Sequence, residues 1–153
     1  MQAPGAAPAL AQSMRSKLVG AGLTLLGIRY RRSGTSERTG FDCSGLVQNL
    51  FGRFGVKLPR SSREQYKEGV AVPAGRFEMG DLVFFSSSRR KIPNHVAIYI
   101  GENRILHALS GARMVTVTST ESPWFRRRYL GARRFPDLWA EEQAQTDIGF
   151  DKQ

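Results

Sequence analysis

The chain has one cysteine and two histidines, and their order is that of a nucleophile followed by a base and an orienting group. Cys43 lies in Phe41-Asp42-Cys43-Ser44-Gly45-Leu46-Val47, and apolar residues then recur at Leu46, Val47, Leu50, Phe51 and Phe54. That spacing is one face of an amphipathic helix with the thiol as its first member. Asp42 is a good N-cap, because its carboxylate can accept from an unpaired first-turn N–H. A thiol at the positive end of a helix can have its pKa lowered from about 8.5 to roughly 3.5–7.5, which makes thiolate available at neutral pH. A lone cysteine is more often a small buried hydrophobe. The chemical reading therefore needs a base, and only His95 and His107 can supply one. A thiol–imidazole pair also needs a third polar group to hold the ring's tautomer.

Those three residues must be brought together by the elements around them. A helix is expected from Leu10 to Gly27, followed by a polar loop over 29–40 and then the Cys43 helix, closed by Phe54-Gly55. Arg15 and Lys17 before Leu18–Leu26 imitate the start of a signal peptide. No small-residue cleavage site follows, and the run is too short to span a bilayer. Ser61 or Ser62 can cap a short helix running to Glu68-Gly69. Strands are expected at Leu82–Phe85, His95–Ile100, Arg104–Leu109, Met114–Thr118 and Tyr129–Phe135, with a short helix or turn opened by Ser122-Pro123-Trp124. Helices first and an antiparallel meander after them define an α+β domain, with N-terminal helices packed on a central sheet of about five strands. Residues 1–9 read as a flexible lead-in, 10–136 as one domain and 137–153 as a loose acidic tail.

The hairpin carrying both histidines has a parity requirement. A two-residue loop at Glu102-Asn103 pairs Gly101 with Arg104 and turns His107 away from His95. A three-residue loop, or a bulge doing the same job, places His107 opposite Ala97, on the face of His95 and about 7–8 Å along the diagonal. Joint action of the two rings requires the second register.

At 153 residues and 17.0 kDa the chain has enough length for one cored domain, and 41% hydrophobic residues exclude global disorder. A single cysteine excludes an internal disulfide, and with two isolated histidines it argues against a structural zinc site. The net charge of +10 comes mainly from arginine clusters at 29–32, 89–91, 126–128 and 133–134. They suit a polyanion, whether nucleic acid, anionic lipid or an acidic wall polymer, or simply a solvated basic surface. They are not interleaved with aromatics in a nucleic-acid-binding pattern, and no recognition motif accompanies them.

Six segments, in order and spacing, resemble the NlpC-type cysteine peptidases of bacterial cell walls. They are Gly27-Ile-Arg-Tyr30, Gly40-Phe-Asp-Cys-Ser-Gly-Leu-Val47, Leu58-Pro-Arg60, Gly80-Asp-Leu-Val-Phe-Phe85, His95-Val-Ala-Ile-Tyr-Ile-Gly101 and Ile105-Leu-His-Ala108. The resemblance covers about Leu26 to Phe135. It implies a papain-like fold and hydrolysis of amide bonds in peptidoglycan stem peptides by an endopeptidase or carboxypeptidase, without metal or organic cofactor. It also implies an extracytoplasmic site, in the periplasm or on an outer-membrane lipoprotein that has lost a signal peptide, and a monomer. Carried over by position, Cys43 is the nucleophile, His95 the general base and His107 its orienting residue. Tyr30 lines the site near the thiol, and Asp42 and Ser44 lie where relatives bind substrate. Two departures stand out: Arg31-Arg32-Ser33-Gly34 replaces a common Gly-Gly pair, and Ala97 replaces a glycine. A wall- or lipid-binding or acyl-transferring relative of the same fold is the first alternative, and a basic nucleic-acid-binding domain the second.

Overall fold

Apolar runs that follow the helices build the main antiparallel sheet, seen in a computed structural model that describes residues 13–139. Its strands are β3 (Val70–Val72), β4 (Leu82–Phe85), β5 (His95–Gly101), β6 (Arg104–Leu109), β7 (Met114–Ser119) and β8 (Tyr129–Arg134). They lie in the order β3-β8-β4-β5-β6-β7. The sheet thus has six strands rather than five. The additional strand, β3, carries exposed Val70 and Ala71, so no apolar alternation announces it. A separate two-stranded ribbon joins β1 (Thr35–Ser36) to β2 (Gly40–Phe41) within the expected polar loop.

Four helices accompany the strands among the described residues: α1 (Met14–Leu23), α2 (Cys43–Arg53), α3 (Ser62–Gln65) and α4 (Pro123–Arg128). Helix α1 is shorter than the expected 10–27 span; Ser13 Oγ caps it by accepting from Ser16 N. The lead-in at 1–9 lies outside the described residues. Pro136–Trp139, at the expected boundary, forms a 3-10 turn in which Leu138 is buried. The remainder of the expected loose tail lies outside the described residues.

The sheet's two faces bury different sets. Val96, Ile98, Ile100, Leu106, Ala108 and Val115 face α1 and α2, meeting Leu18, Leu46, Val47, Leu50 and Phe51. Each buried Val, Leu, Ile or Phe among them contributes about 1.5–3 kcal/mol, and Ala108 less. Val83, Phe85, Ala97, Tyr99 and Ile105 face the other way, towards Phe125 and Trp124 of α4. Below the sheet's centre, buried Asp81 is held by Arg134, with Nε–Oδ1 and Nη2–Oδ2 both 2.9 Å, while its Oδ2 also accepts from Glu78 N at 2.8 Å. This pairing makes the burial of a carboxylate tolerable.

The β5–β6 hairpin meets the parity requirement by a bulge. Gly101 pairs with Arg104 across Glu102-Asn103, whereas Ile98 pairs with Leu106 and Tyr99 with Ile105. The turn residues take φ of 52° and 59° and Gly101 takes 95°, the left-handed values such a tight connection demands. One extra residue on β5 thus restores the register that places His107 across from Ala97.

Candidate active site

Alternation from the bulge sets both imidazoles on the α4 face of the sheet. His95 Nε2 lies 2.8 Å from His107 Nδ1. His107 Nε2 lies 2.8 Å from Thr118 Oγ1, on the adjacent strand β7. Trp124 closes over the pair, its ring centroid 5.6 Å from His95 and 5.2 Å from His107. Phe85 packs on His95 at 5.7 Å. His107 is fully buried, so the ring bond works in a low-dielectric setting where a hydrogen bond is strengthened.

Cys43 arrives from the opposite layer. Asp42 caps α2 as expected, its Oδ1 accepting from Gly45 N at 2.7 Å. The cysteine is half-buried, and its sulfur meets the backbone of Val96, the residue after His95, together with the N–H groups at the helix start. The thiol and the first imidazole therefore sit at the same end of β5, reached from two sides. Gly45 lets this happen. A Cβ there would collide with the carbonyl oxygen of Gly34, which also accepts from Asp42 N at 3.0 Å.

The electrostatics depart from the expected activated thiolate. Burial pushes the Cys43 thiol up, outweighing the hydrogen bond from Val96 and the helix-start N–H groups that pull it down, and the Asp42 charge adds to the rise. Burial also lowers His95 to about 3, aided by the neighbouring His107 and Arg128 charges. His107 falls to about 4 through burial. At neutral pH the resting groups are a thiol and two uncharged imidazoles. The helix terminus was legible in the sequence, whereas the depth of burial was not.

Tyr30 is half-buried and bridges to Phe41. Its hydroxyl is pushed up by burial first and then by the Cys43 and Asp42 charges. Asp42 and Ser44 are joined to a residue that motif reading did not single out. Arg60 Nη1 and Nη2 reach Asp42 Oδ1 and Oδ2 at 3.2 and 2.9 Å, and Nη1 donates to Ser44 Oγ at 2.9 Å. Buried Gln65 donates to Ser44 O at 3.3 Å and Pro59 O at 2.8 Å, leaving its Oε1 unpaired. Thr118, Trp124 and Gln65 carry no local signal; strand order and packing bring them in. Arg60 stood within a quoted segment, Leu58-Pro-Arg60, and that membership is its only signal in the sequence. Among the described residues, no three His, Cys, Asp or Glu side chains gather as a metal-binding group.

A cysteine at a helix start and paired histidines on an antiparallel sheet thus meet at one end of β5 in an α+β domain. The NlpC/P60 family profile matches residues 27–134, and the chain belongs to that family. It is 40% identical over 109 residues to the Murein DD-endopeptidase MepS/Murein LD-carboxypeptidase of Escherichia coli K12, covering 71% of this chain and 56% of that protein. It is 37% identical over 119 residues to the gamma-D-glutamyl-L-lysine dipeptidyl-peptidase of Bacillus cereus, covering 77% and 35%. Among solved structures, an NlpC/P60 family protein from Bacillus cereus superposes with a TM-score of 0.75 at 36% identity, over 79% of this chain and 40% of the other. The peptidoglycan hydrolase RipB of Mycobacterium tuberculosis gives 0.67 at 28% identity, over 82% and 66%. The chain spans 56% and 35% of the lengths of the two curated relatives described.

Proposed function

We propose that the protein hydrolyses amide bonds in peptidoglycan stem peptides, with Cys43 as nucleophile, His95 as general base and His107 as positioning residue. The observation that carries this reading is the 2.8 Å contact between His95 Nε2 and His107 Nδ1, at the strand end where Val96 meets the Cys43 sulfur. With Nε2 occupied by His107, Nδ1 of His95 is the nitrogen left to take a proton. A consistent chain follows: His95 donates from Nε2 to His107 Nδ1, and His107 donates from Nε2 to Thr118 Oγ1. His95 stays uncharged above about pH 3, so its ring is unprotonated at neutral pH.

Attack couples two movements. The Cys43 proton passes to His95 as sulfur bonds to the amide carbon, and the N–H groups of Cys43 and Ser44 at the helix start can donate to the oxygen that becomes negative. His95 then protonates the departing amine, and water, deprotonated by the same ring, releases the acyl group. Relatives named as murein endopeptidase and gamma-D-glutamyl-L-lysine dipeptidyl-peptidase support the substrate class. That substrate implies action outside the cytoplasm, in the cell envelope. The arginine clusters give the same surface an affinity for anionic wall or membrane, and the domain works as a monomer. Neither an organic cofactor nor a metal enters these steps.

Incubation with purified muropeptides and mass spectrometry of the products tests the reading. Wild type is expected to release amide-cleavage fragments, and Cys43→Ala to release none while keeping its thermal transition. Undiminished cleavage by Cys43→Ala would overturn the thiol mechanism.

A further inference from the structure

A cluster of cations without ion pairs, among the described residues, borders the cleft at His95. The loop after β4 and the last turn of α4 enclose a pocket of about 280 Å³ lined by Ser86, Ser88, Arg89, Lys91, Arg127 and Arg128, with Tyr129 and Leu130 at its base. Four of these residues are cations, and no carboxylate lines the pocket. None of Arg89, Lys91, Arg127 and Arg128 forms an ion pair among the described residues, whereas Arg53, Arg60, Arg104 and Arg134 each have an acidic partner. Like charges gathered without counter-charge repel one another, and that cost is relieved when an anion enters.

The pocket is also built. Ser86 N donates to Arg128 O at 2.8 Å, tying the loop to the helix. Ser86 Oγ accepts from Ser88 N at 3.2 Å, and Ser88 Oγ accepts from Arg90 N at 3.3 Å, so the serines fold the loop onto itself. Lys91 turns the chain with φ of 58°. Arg128 is fixed by donating to Trp124 O at 3.3 Å and by lying 5.1 Å from the Trp124 ring centroid. Arg128 lines a second cleft as well, of about 410 Å³, shared with His95, Asn94, Trp124 and Ser110. The basic pocket and the cleft at His95 thus share a wall.

We propose that this pocket is a subsite for a free carboxylate of the peptide substrate, pendant on the residue next to the bond held at His95. The proposal rests on the peptidase reading for the identity of the ligand. The shared wall favours the molecule at His95 as the source of the anion, since a group seated beside Arg128 is one residue from that cleft. A planar carboxylate suits guanidinium donors. Amidation of that carboxylate removes the charge while keeping the shape, so the pocket would make the enzyme discriminate amidated from unamidated wall peptide. Seating the carboxylate against Arg128 would also offset a positive charge felt by His95, making the ring a better base once substrate is bound.

Calorimetric titration of the Cys43→Ala protein separates this inference from hydrolysis. The ligands are two muropeptides identical except for amidation of the pendant carboxylate. The free carboxylate is expected to bind about tenfold more tightly, and Arg89→Ala with Arg127→Ala, added to Cys43→Ala, is expected to make the two affinities equal. Arg89→Lys with Arg127→Lys should keep part of the preference. Equal affinities before the arginines are removed would overturn the subsite, as would a preference that survives their removal. Displacement of neither peptide by a glycerol-phosphate oligomer is expected. An arginine-dependent affinity for that oligomer, without discrimination between the peptides, would reassign the pocket to a phosphate polymer and overturn the proposal. Loss of muropeptide cleavage in the wild type, with the binding preference intact, would sink the peptidase reading and leave the subsite standing.

Discussion

Thr118 Oγ1 and His107 Nε2 meet at 2.8 Å, although Thr118 lies on a different strand and outside every motif the sequence displays. The contact exists because β6 and β7 pair Ile105 with Thr118 and His107 with Thr116, setting both side chains on the α4 face. Thr118 is thus the far end of a chain that runs from hydroxyl to His107 to His95.

Thr118→Val removes the hydroxyl and keeps the shape. We expect kcat for muropeptide cleavage to fall about tenfold with KM little changed, because the ring loses its tautomer control rather than a substrate contact. Thr118→Ser should restore most of the rate. A change confined to KM, or no rescue by serine, would show that Thr118 does not act through His107.

The two buried imidazoles predict a pH dependence of stability. Both native pKa values lie below the ordinary value of about 6.5, so below that pH the unfolded chain binds protons that the folded chain refuses. The stabilisation is present in full above about 6.5 and is lost as pH falls towards about 4 and about 3. Between those limits each ring adds at most about 1.4 kcal/mol per pH unit. Urea denaturation between pH 7.5 and 5 reads this slope. His107→Gln should flatten it, and an unchanged slope in that variant would contradict a neutral buried ring.

Burial of Cys43 predicts slow alkylation. The rate with iodoacetamide should climb only above the pH at which an ordinary thiol ionises, since the rise from burial exceeds the lowering by the nearby N–H groups. Stopped-flow alkylation from pH 5 to 10 measures it. A rate already at its plateau near pH 6 would show instead a standing thiolate–imidazolium pair.

Periodicity exposed most of the architecture. The stripe from Cys43 to Phe54 is strong because one face of that helix is buried, and the near-continuous apolar runs of β5 and β6 are strong because both faces of those strands are covered. Val70–Val72 escaped notice because two of its three residues are exposed on a sheet edge. The β1–β2 ribbon escaped because two residues per strand carry no period. For the site, Cys43, His95 and His107 stood out by rarity and order, and the required parity of the hairpin followed from alternation alone. Trp124 and Thr118 did not stand out, because strand order and helix packing choose them from many equivalent residues. The protonation states were hidden for a related reason: they depend on how much protein surrounds each group.

The crowding of Gly34 against Gly45 has a mechanical consequence. Gly34 O accepts from Asp42 N, and Asp42 in turn grips Gly45 N and Arg60. With no side chain between them to yield, the 31–34 turn and the first turn of α2 form one stiff coupling. The exposed side chains of Arg31 and Arg32 are its outer handle and the Cys43 sulfur its inner end. A load applied to that handle is expected to reach the Cys43 sulfur as displacement rather than be absorbed as bending of the loop.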